Sequence, residues 1–277
     1  MTDLNPQGRQ MADESMVRNL AAQAEAIWPQ ELPLLQRYTL PADARILDAG
    51  CGTGEIVGRI AALMPQARLL GVDIIDAHLD LARARHAAFG ERVRFDHQSV
   101  YELDAPDATF DLTLCRHVLQ AIPHADKVIA ELARVTRPGG YLHVIPEDYH
   151  MLHFQRGARD PDEFWHAVPA RFAAATNTDL FIGRNIYTIL TALKLSEIRI
   201  DYVVVDTLRV PRATFATILT AWRDGYAPAI GEITPVSQAD AEAYFDQMIA
   251  DLHDPTRYAV WMVPVASARV PLREDRP

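Results

Sequence analysis

The fold is decided by the stretch ILDAGCGTGEIVGRIA, which runs from Ile46 to Ala61. Its first residues belong to a short apolar run that is typical of a buried strand, and its last residues have the spacing of a helix. Between them, glycine occupies every second position, at Gly50, Gly52 and Gly54. A glycine-rich turn from a strand into a helix lets the backbone approach a ligand closely, so this stretch predicts a binding site.

Outward from this turn, strand-like and helix-like segments alternate. Strand-like runs occupy 44–49, 67–73, 92–97, 110–115 and 140–146. Helical patterns lie between them at 54–63, 76–88 and 124–135. This rhythm favours parallel strands joined by right-handed crossovers, and therefore a doubly wound α/β sheet.

The remaining segments lie before and after this alternation. The sequence predicts a helix over 13–28 that stops at Pro29, a helix over 183–194, and strands over 197–205 and 257–265. Pro264 predicts that the last strand bends or lies near an edge. Segments 147–182 and 207–256 do not belong to the alternation, although 212–223 and 238–251 have helical patterns. We expect both segments to cover the carboxyl ends of the strands, where such sheets bind ligands.

Composition narrows the class of partner. The 277 residues carry a formal net charge of -10, which disfavours nucleic acid because phosphate backbones are bound by Lys and Arg. No window approaches the ~18 consecutive apolar residues of a membrane span, and the N-terminus has no apolar signal core. Cys51 and Cys115 fall in segments with the pattern of an interior, so we expect reduced thiols in a cytoplasmic protein.

The glycine turn departs from other ligand-binding turns. A dinucleotide site favours G-x-G-x-x-G, but here the third glycine comes one residue early, and Glu55 places a carboxylate where a pyrophosphate would lie. No Gly-Lys-Ser/Thr follows, which excludes a Walker A loop. The acids Asp48, Glu55 and Asp73 favour a cationic nucleoside instead, and Asp73 is placed to accept both ribose hydroxyls.

Three segments together resemble the class I S-adenosylmethionine-dependent methyltransferases, in particular the small-molecule branch that is similar to ubiquinone and menaquinone biosynthesis enzymes. They are LDAGCGTG, GVDIIDAHLDLARAR and TFDLTLCRHVLQAIPHADKVIAELARVTRPGGYLHV, and the resemblance covers roughly 44–146. It implies a seven-stranded Rossmann-like sheet with an antiparallel last strand and helical cap insertions. It also implies an N-terminal helical lid over 1–40 and a cofactor-binding domain over 41–277.

The same resemblance implies S-adenosylmethionine as the cofactor and assigns residues to it. Asp48 and the glycines would line its methionine part, while Asp73 would hold the ribose and Ile74 would pack on the adenine. Ser99 stands where the family often has Asp, so recognition of the adenine edge would differ here. The full expected set is Asp48, Gly50, Cys51, Gly52, Gly54, Asp73, Ile74, Ser99, Val100 and Arg116.

Candidate residues for the chemistry follow the fourth and fifth strands. The stretch PEDYHMLHF, 146–154, would overhang the methyl group in the inferred fold. We expect His117, Glu147 or His150 to take a proton or to hold an acceptor nitrogen. Candidate substrate-binding residues are Tyr149, His153, Trp165 and Tyr187. The alternative is that these residues form a polar loop and the core of the cap.

Other histidines and a metal site are less favoured. The sequence predicts that His78 and His86 are solvated on a helix face. His150 and His153 have a spacing found in metal sites, but no third ligand is fixed by a pattern, so no metal is expected.

The sequence therefore predicts a methyltransferase that acts on oxygen or nitrogen of a small organic acceptor, with no nucleic-acid or membrane partner. C-methylation of a quinone, polyketide or prenyl precursor is the alternative within the class. Methylation of a protein side chain, binding of the cofactor without catalysis, and a nicotinamide oxidoreductase also stay open, in less favoured positions. The oligomeric state stays open too, and a homodimer is one of the forms allowed.

Overall fold

The computed structural model describes residues 3–272, which form one mixed sheet with helices on both faces. The strands are β1 (Arg45–Ala49), β2 (Arg68–Asp73), β3 (Val93–His97), β4 (Phe110–Arg116), β5 (Thr136–Ile145), β6 (Leu152–Phe154), β7 (Ser196–Asp206) and β8 (Ala259–Arg269). The helices are α1 (Gly8–Met11), α2 (Glu14–Leu35), α3 (Glu55–Leu63), α4 (Asp76–His86), α5 (Ala125–Val135), α6 (Pro161–Thr176), α7 (Ile182–Ala192), α8 (Arg212–Ile233) and α9 (Gln238–His253).

The sheet confirms the expected doubly wound order. Its strands run β3-β2-β1-β4-β5-β8-β6, and β7 pairs with β8. The first five strands are parallel, whereas β8 is antiparallel to β5, β6 and β7. The seven expected strands are β1–β5, β7 and β8, and the three-residue β6 is an addition that the sequence pattern did not predict.

Proline in β8 is explained by a gap in the ladder beside it. On one side of β8, β5 pairs with Ala266–Arg269 and β6 pairs with Ala259–Trp261. No described strand occupies that side between 262 and 265, so Pro264 faces the gap where its missing N–H costs no ladder bond. The strand is not at the edge of the sheet, because β7 pairs along its other side.

The predicted end of the first long helix is wrong. The sequence predicts a stop at Pro29, but α2 continues through Pro29 and Pro33. Each proline removes a helical donor, yet contacts beyond them hold the helix in place. Gln30 exchanges two hydrogen bonds with the backbone of Val204, at 2.8 and 3.1 Å. Tertiary contacts therefore outweigh the local tendency of proline to end the helix.

Apolar side chains fill both faces of the sheet and the space under the cap. One buried cluster packs α5 and α7 on one face, and a second packs α3, α4 and part of α2 on the other. A third cluster joins α2, α6, α8 and α9 to β7 and β8. Within residues 3–272, no helix combines the length and the apolar character that a bilayer crossing requires.

Candidate functional site

A cavity, called here the cofactor cavity, opens at the carboxyl ends of β1, β2 and β4. The residues that line it come from the strand ends, from the start of α4 and from the N-terminal segment. They are Asn5, Gln7, Gly8, Met11, Leu20, Gly50, Gly52, Asp73, Ile74, Ile75, His78, Gln98, Val100, Arg116, His117, Val118, Ala121 and Ile122. Six residues that the family resemblance assigned to the cofactor, Gly50, Gly52, Asp73, Ile74, Val100 and Arg116, are among them.

The glycine turn makes the floor of this cavity. Gly50 and Gly52 have positive φ angles of +77° and +51°, which favour glycine. A Cβ atom on Gly50 would lie 2.3 Å from Cγ2 of Val118, and one on Gly52 would lie 2.7 Å from Cδ1 of Leu20. Both positions therefore require glycine for conformation and for space.

The carboxylate of Asp73 joins two of these loops. Its Oδ2 accepts a hydrogen bond from the Gly52 N–H at 2.8 Å, and its Oδ1 accepts from the N–H groups of Ile74 and Ile75 at 2.8 and 3.0 Å. An ionised carboxylate has about four acceptor sites in total, so Asp73 retains capacity for a ligand hydroxyl. The position agrees with the ribose role that the family resemblance implies.

Other residues expected at the cofactor lie behind the cavity wall. Asp48 is buried beneath the turn, and burial raises the pKa of its carboxyl to about 7. Cys51 is a free, buried thiol whose pKa burial raises well above its ordinary value. Gly54 caps the start of α3. Ser99 accepts a hydrogen bond from the Tyr101 N–H at 3.3 Å within a turn, while its neighbours Gln98 and Val100 line the cavity.

The prediction of a solvated His78 is wrong. Its side chain is 2% exposed and lines the cavity, because the first turn of α4 packs beneath the end of β2. Burial lowers the pKa of His78. His86 is also only partly exposed, since its ring stacks between Phe89 and Phe95. Helical periodicity alone did not distinguish the two faces of α4.

The structure brings two of the three candidate catalytic residues together. Nδ1 of His117 and Oε1 of Glu147 are hydrogen-bonded, and both side chains are buried. Nε2 of His117 and Oε2 of Glu147 have no partner among the described residues. His117 lines the cofactor cavity, and its unpaired nitrogen is buried beside that cavity.

The backbone around His117 is held in an uncommon conformation. Its φ angle is +57°, a left-handed value that is uncommon for a residue other than glycine. The His117 N–H donates to the Ile145 carbonyl at 2.9 Å, and the Gln120 side chain donates to the His117 carbonyl at 2.8 Å. Such strain is found at functional sites where surrounding contacts fix it.

A second cavity lies under the cap and is called here the aromatic cavity. Two of the candidate substrate residues, Tyr149 and Trp165, line it with parallel rings whose centroids are 5.9 Å apart. Its full lining is Gln7, Tyr149, Phe164, Trp165, Val168, Pro169, Phe172, Leu180, Trp222, Tyr226, Ile230 and Phe245. Gln7 lines both cavities, so it lies between them.

Three other candidates lie outside both cavities. His150 packs against Phe181 and His166 and contacts Arg184, which itself pairs with the buried Asp148. His153 is exposed on β6, and the side chain of Tyr187 is 56% exposed on α7. His153 lies at the surface because side chains alternate between the two faces of β6. Tyr187 lies at the surface because it is on the polar face of α7.

A buried polar network beside the cavity was not predicted from the sequence. Arg116 pairs with Glu31 of α2 through two hydrogen bonds of 2.8 Å. Glu31 also contacts Nε2 of His143 at 3.1 Å, and Nδ1 of His143 contacts the Tyr38 hydroxyl at 2.7 Å. Burial opposes the ionisation of Glu31, but the charge of Arg116 and the bond to His143 lower its pKa to about 2.

A signal for this network exists in the sequence. Glu31 lies at i+4 from Ile27 and at i−4 from Leu35, on the apolar stripe of α2. A single carboxylate on a buried stripe indicates a buried partner of opposite charge.

The residues of the cofactor cavity fit S-adenosylmethionine. The glycine turn gives space, Asp73 offers acceptors for the ribose, and Ile74 and Val100 offer apolar contact for a base. No group of three or more His, Cys, Asp or Glu within residues 3–272 has the arrangement of a metal site.

Comparisons with known proteins agree with this geometry. A methyltransferase domain family matches residues 46–140. Trans-aconitate 2-methyltransferase of Methylobacterium nodulans is 29% identical over 235 residues, which are 80% of this chain and 83% of that one. Ubiquinone biosynthesis O-methyltransferase of Aromatoleum aromaticum is 33% identical over 113 residues, which are 40% of this chain and 47% of that one. Demethylmenaquinone methyltransferase of Deinococcus radiodurans is 34% identical over 98 residues, 35% of this chain and 41% of that one.

The chain thus matches less than half the length of the last two relatives. Among solved structures, phosphoethanolamine N-methyltransferase 2 of Haemonchus contortus, in complex with S-adenosyl-L-methionine, has the same fold. The TM-score is 0.58 at 18% identity, covering 95% of this chain and 60% of that one. The chain is thus similar to small-molecule methyltransferases, through a methyltransferase domain at 46–140 and through the Methylobacterium nodulans relative, which it matches over most of its length.

Proposed function

We propose that this chain transfers a methyl group to oxygen or nitrogen of a small organic molecule, with His117 as the general base. The observation that carries this proposal is the buried pair of His117 and Glu147 at the cofactor cavity. C-methylation does not require a base of this kind at a hydroxyl or amine, so the pair favours O- or N-transfer.

The pair supplies a base with a fixed tautomer. Glu147 is buried, and when it is ionised it can only accept, so the proton of neutral His117 lies on Nδ1. The lone pair is then on Nε2, which has no protein partner among the described residues. His117 takes the acceptor proton at Nε2, and Glu147 stabilises the imidazolium that results.

The bound cofactor supplies a methyl group on a sulfonium, whose leaving group is already activated. The protein has to align the acceptor and exclude water, and positioning of this kind contributes roughly 7–11 kcal/mol to a barrier. The residues that would align the acceptor are Tyr149 and Trp165, which line the aromatic cavity beyond Gln7. His150, His153 and Tyr187 have no place in this proposal, because they lie outside both cavities.

Residues 1–40 would act as a lid over the cofactor. Gln7 and Met11 line the cofactor cavity, and Leu20 lies on the glycine turn. Residues 41–277 would form the catalytic domain, with the segments at 147–182 and 207–256 as its cap. Residues 1–2 and 273–277 of this division lie outside the described residues.

The test uses His117→Asn, which retains an amide donor towards Glu147 and tolerates the left-handed backbone, but has no base at the Nε2 position. Methyl-labelled S-adenosylmethionine is incubated with the protein and a fractionated cell extract. We expect label in a small-molecule fraction, and a loss of about 10²–10⁴-fold in its rate of transfer in His117→Asn.

The matched control is His124→Asn. His124 has the same left-handed conformation, at φ +54°, but is exposed at the start of α5. We expect its transfer rate to equal that of the unmodified protein, and cofactor affinity measured by calorimetry to be equal in both variants. Label in protein or nucleic acid would overturn the small-molecule assignment. Full activity of His117→Asn would show that His117 is not the general base.

A further inference from the structure

We propose that the aromatic cavity binds the acceptor, and that this acceptor is an uncharged, predominantly apolar molecule that presents a hydroxyl group to His117. The orientation of the hydroxyl towards His117 rests on the proposed function. The chemical class of the molecule follows from the cavity itself, and it can be tested without catalysis.

The cavity offers no partner for an anion. Among the described residues that line it, none is charged, and only Gln7 and two tyrosines carry polar groups besides indole nitrogens. Burial and the nearby Glu147 carboxylate together raise the pKa of Tyr149 and Tyr226, so the charge that acts on these two hydroxyls is negative. A carboxylate or phosphate placed there would be buried without compensation, which is strongly unfavourable.

The cavity also gives little to an ammonium group. Aromatic faces can bind cations, but Tyr149 stacks on Trp165 at an interplanar angle of 6°, and Trp222 meets Tyr149 at 75°. These three rings therefore pack against one another. The nearby carboxylate, Glu147, is not among the described residues that line the cavity, and its Oε1 is hydrogen-bonded to His117. A neutral molecule with an extensive apolar part is the remaining class.

Gln7 gives the acceptor its orientation. Gln7 is 3% exposed and lines both cavities. Its Oε1 accepts a hydrogen bond from the Tyr226 hydroxyl at 3.1 Å, whereas its Nε2 has no partner among the described residues. A buried amide without a partner is costly, so a ligand oxygen that accepts from Nε2 is stabilised there. This places the hydroxyl of the acceptor on the side of the cofactor cavity.

The test uses three probes that differ in one group: 1-naphthylmethanol, 1-naphthoate and 1-naphthylmethylammonium. Their affinities for the full chain are measured by calorimetry at pH 7. We expect 1-naphthylmethanol to bind at least about tenfold more tightly than either ion, equivalent to about 1.4 kcal/mol. Equal or tighter binding of the naphthoate or of the ammonium would overturn the proposed class, and so would failure of all three to bind.

A pair of variants tests the location. Val168→Phe fills the cavity with an apolar side chain, and we expect at least a tenfold loss of 1-naphthylmethanol affinity. Leu208→Phe is the control, since Leu208 is 80% exposed outside the cavity, and should bind the probe normally. Ile230→Phe fills the cavity from α8 and serves if Val168→Phe fails to fold. Unchanged probe affinity in the folded filled variants would place the site elsewhere.

The two proposals fail separately. S-adenosylmethionine affinity, measured in the same samples, reports the integrity of the neighbouring cavity. Probe binding with no methyl transfer to any acceptor would overturn the proposed function and leave the class of ligand standing. Transfer to a carboxylate or to an ammonium-bearing metabolite would overturn the proposed class of ligand and leave the proposed methyl transfer standing.

Discussion

Glu31 shows how one side chain connects the N-terminal helix to the sheet. It is fully buried, and its partners Arg116 and His143 lie on β4 and β5. Because its carboxylate is acceptor-only, Nε2 of His143 donates to it and Nδ1 accepts from the Tyr38 hydroxyl. The network thus fixes α2, β4 and β5 relative to one another, and it fixes the guanidinium that lines the cofactor cavity.

We expect Glu31→Gln to destabilise the protein by about 3 kcal/mol, because it leaves the buried Arg116 without its counter-charge. The folded pKa of Glu31, about 2, is below its ordinary value, so its contribution is present above about pH 4.5 and is lost as the pH falls towards 2. Urea unfolding should therefore show a difference that shrinks on acidification. Glu25→Gln, on the exposed face of α2, should show none. An equal effect of the two substitutions would refute a buried ion pair.

The pKa of Asp48 is shifted in the opposite direction to that of Glu31, so its effect on stability changes with pH in the opposite sense. Burial raises its folded pKa to about 7, so its contribution favours the folded state below about pH 4 and is lost as the pH rises to 7. Asp48→Asn should be about as stable as the unmodified protein at pH 3.5 and more stable at pH 8, by up to about 4 kcal/mol for a rise of this size. Urea unfolding at both pH values measures this. Asp43→Asn, at an exposed position, should be indifferent to pH, and parallel behaviour of the two variants would contradict the raised pKa.

Among the elements, the glycine turn makes the sharpest prediction. Gly52→Ala adds a left-handed alanine and a clash with Leu20, and Gly52 also donates to Asp73. We expect at least a tenfold loss of S-adenosylmethionine affinity by calorimetry. Gly90→Ala is the matched control, since Gly90 also has a positive φ, +61°, but a Cβ there meets nothing within 4 Å. Gly90→Ala should lower the stability of the protein and leave its affinity for S-adenosylmethionine unchanged. Equal affinities of the two variants would show that the turn does not contact the cofactor.

The same elements show why parts of the fold could be predicted from sequence. The five parallel strands are short apolar runs with glycine or proline nearby, so local pattern and final structure agree for them. The extension of α2 past Pro29 depends on Gln30 and Glu31 meeting distant partners, which no local pattern reveals. The cap helix α6 contains Pro169 and was not predicted as a helix, since its apolar residues face the aromatic cavity and not the sheet.

The residues of the candidate site were also predictable from the sequence only in part. Gly50, Gly52 and Asp73 were predicted from their motif, because the turn geometry is set by the residues themselves. Gln7 and His78 were not, because their place in the cavity depends on how separate helices pack. For the candidate base, the sequence favoured His117 and His150 equally, and the structure distinguishes His117 by its partner Glu147 and by its place at the cavity.

At the scale of the molecule, the N-terminal segment spans both cavities and both layers of the fold. Through α2 it contacts β7 at Gln30, and just beyond α2 the guanidinium of Arg37 pairs with Asp201 at 2.7 Å. Arg18 pairs with Asp224 of α8 at 3.1 Å. A ligand that orders this segment in one cavity therefore changes the free energy with which a second ligand binds in the other cavity. Such coupling is reciprocal for binding free energies.

We expect cofactor and acceptor binding to be positively coupled through Gln7 and its partner Tyr226. Calorimetry should show 1-naphthylmethanol binding about fivefold more tightly when S-adenosylhomocysteine is present, which is within the usual range of coupling. S-adenosylhomocysteine should bind more tightly by the same factor when the probe is present. Tyr226→Phe removes the hydrogen bond to Gln7 and should reduce the factor towards one. Tyr202→Phe, half-exposed on β7, should leave it unchanged. A factor of one in the unmodified protein would mean that the two cavities act independently, with Gln7 as a wall between them and not as a link.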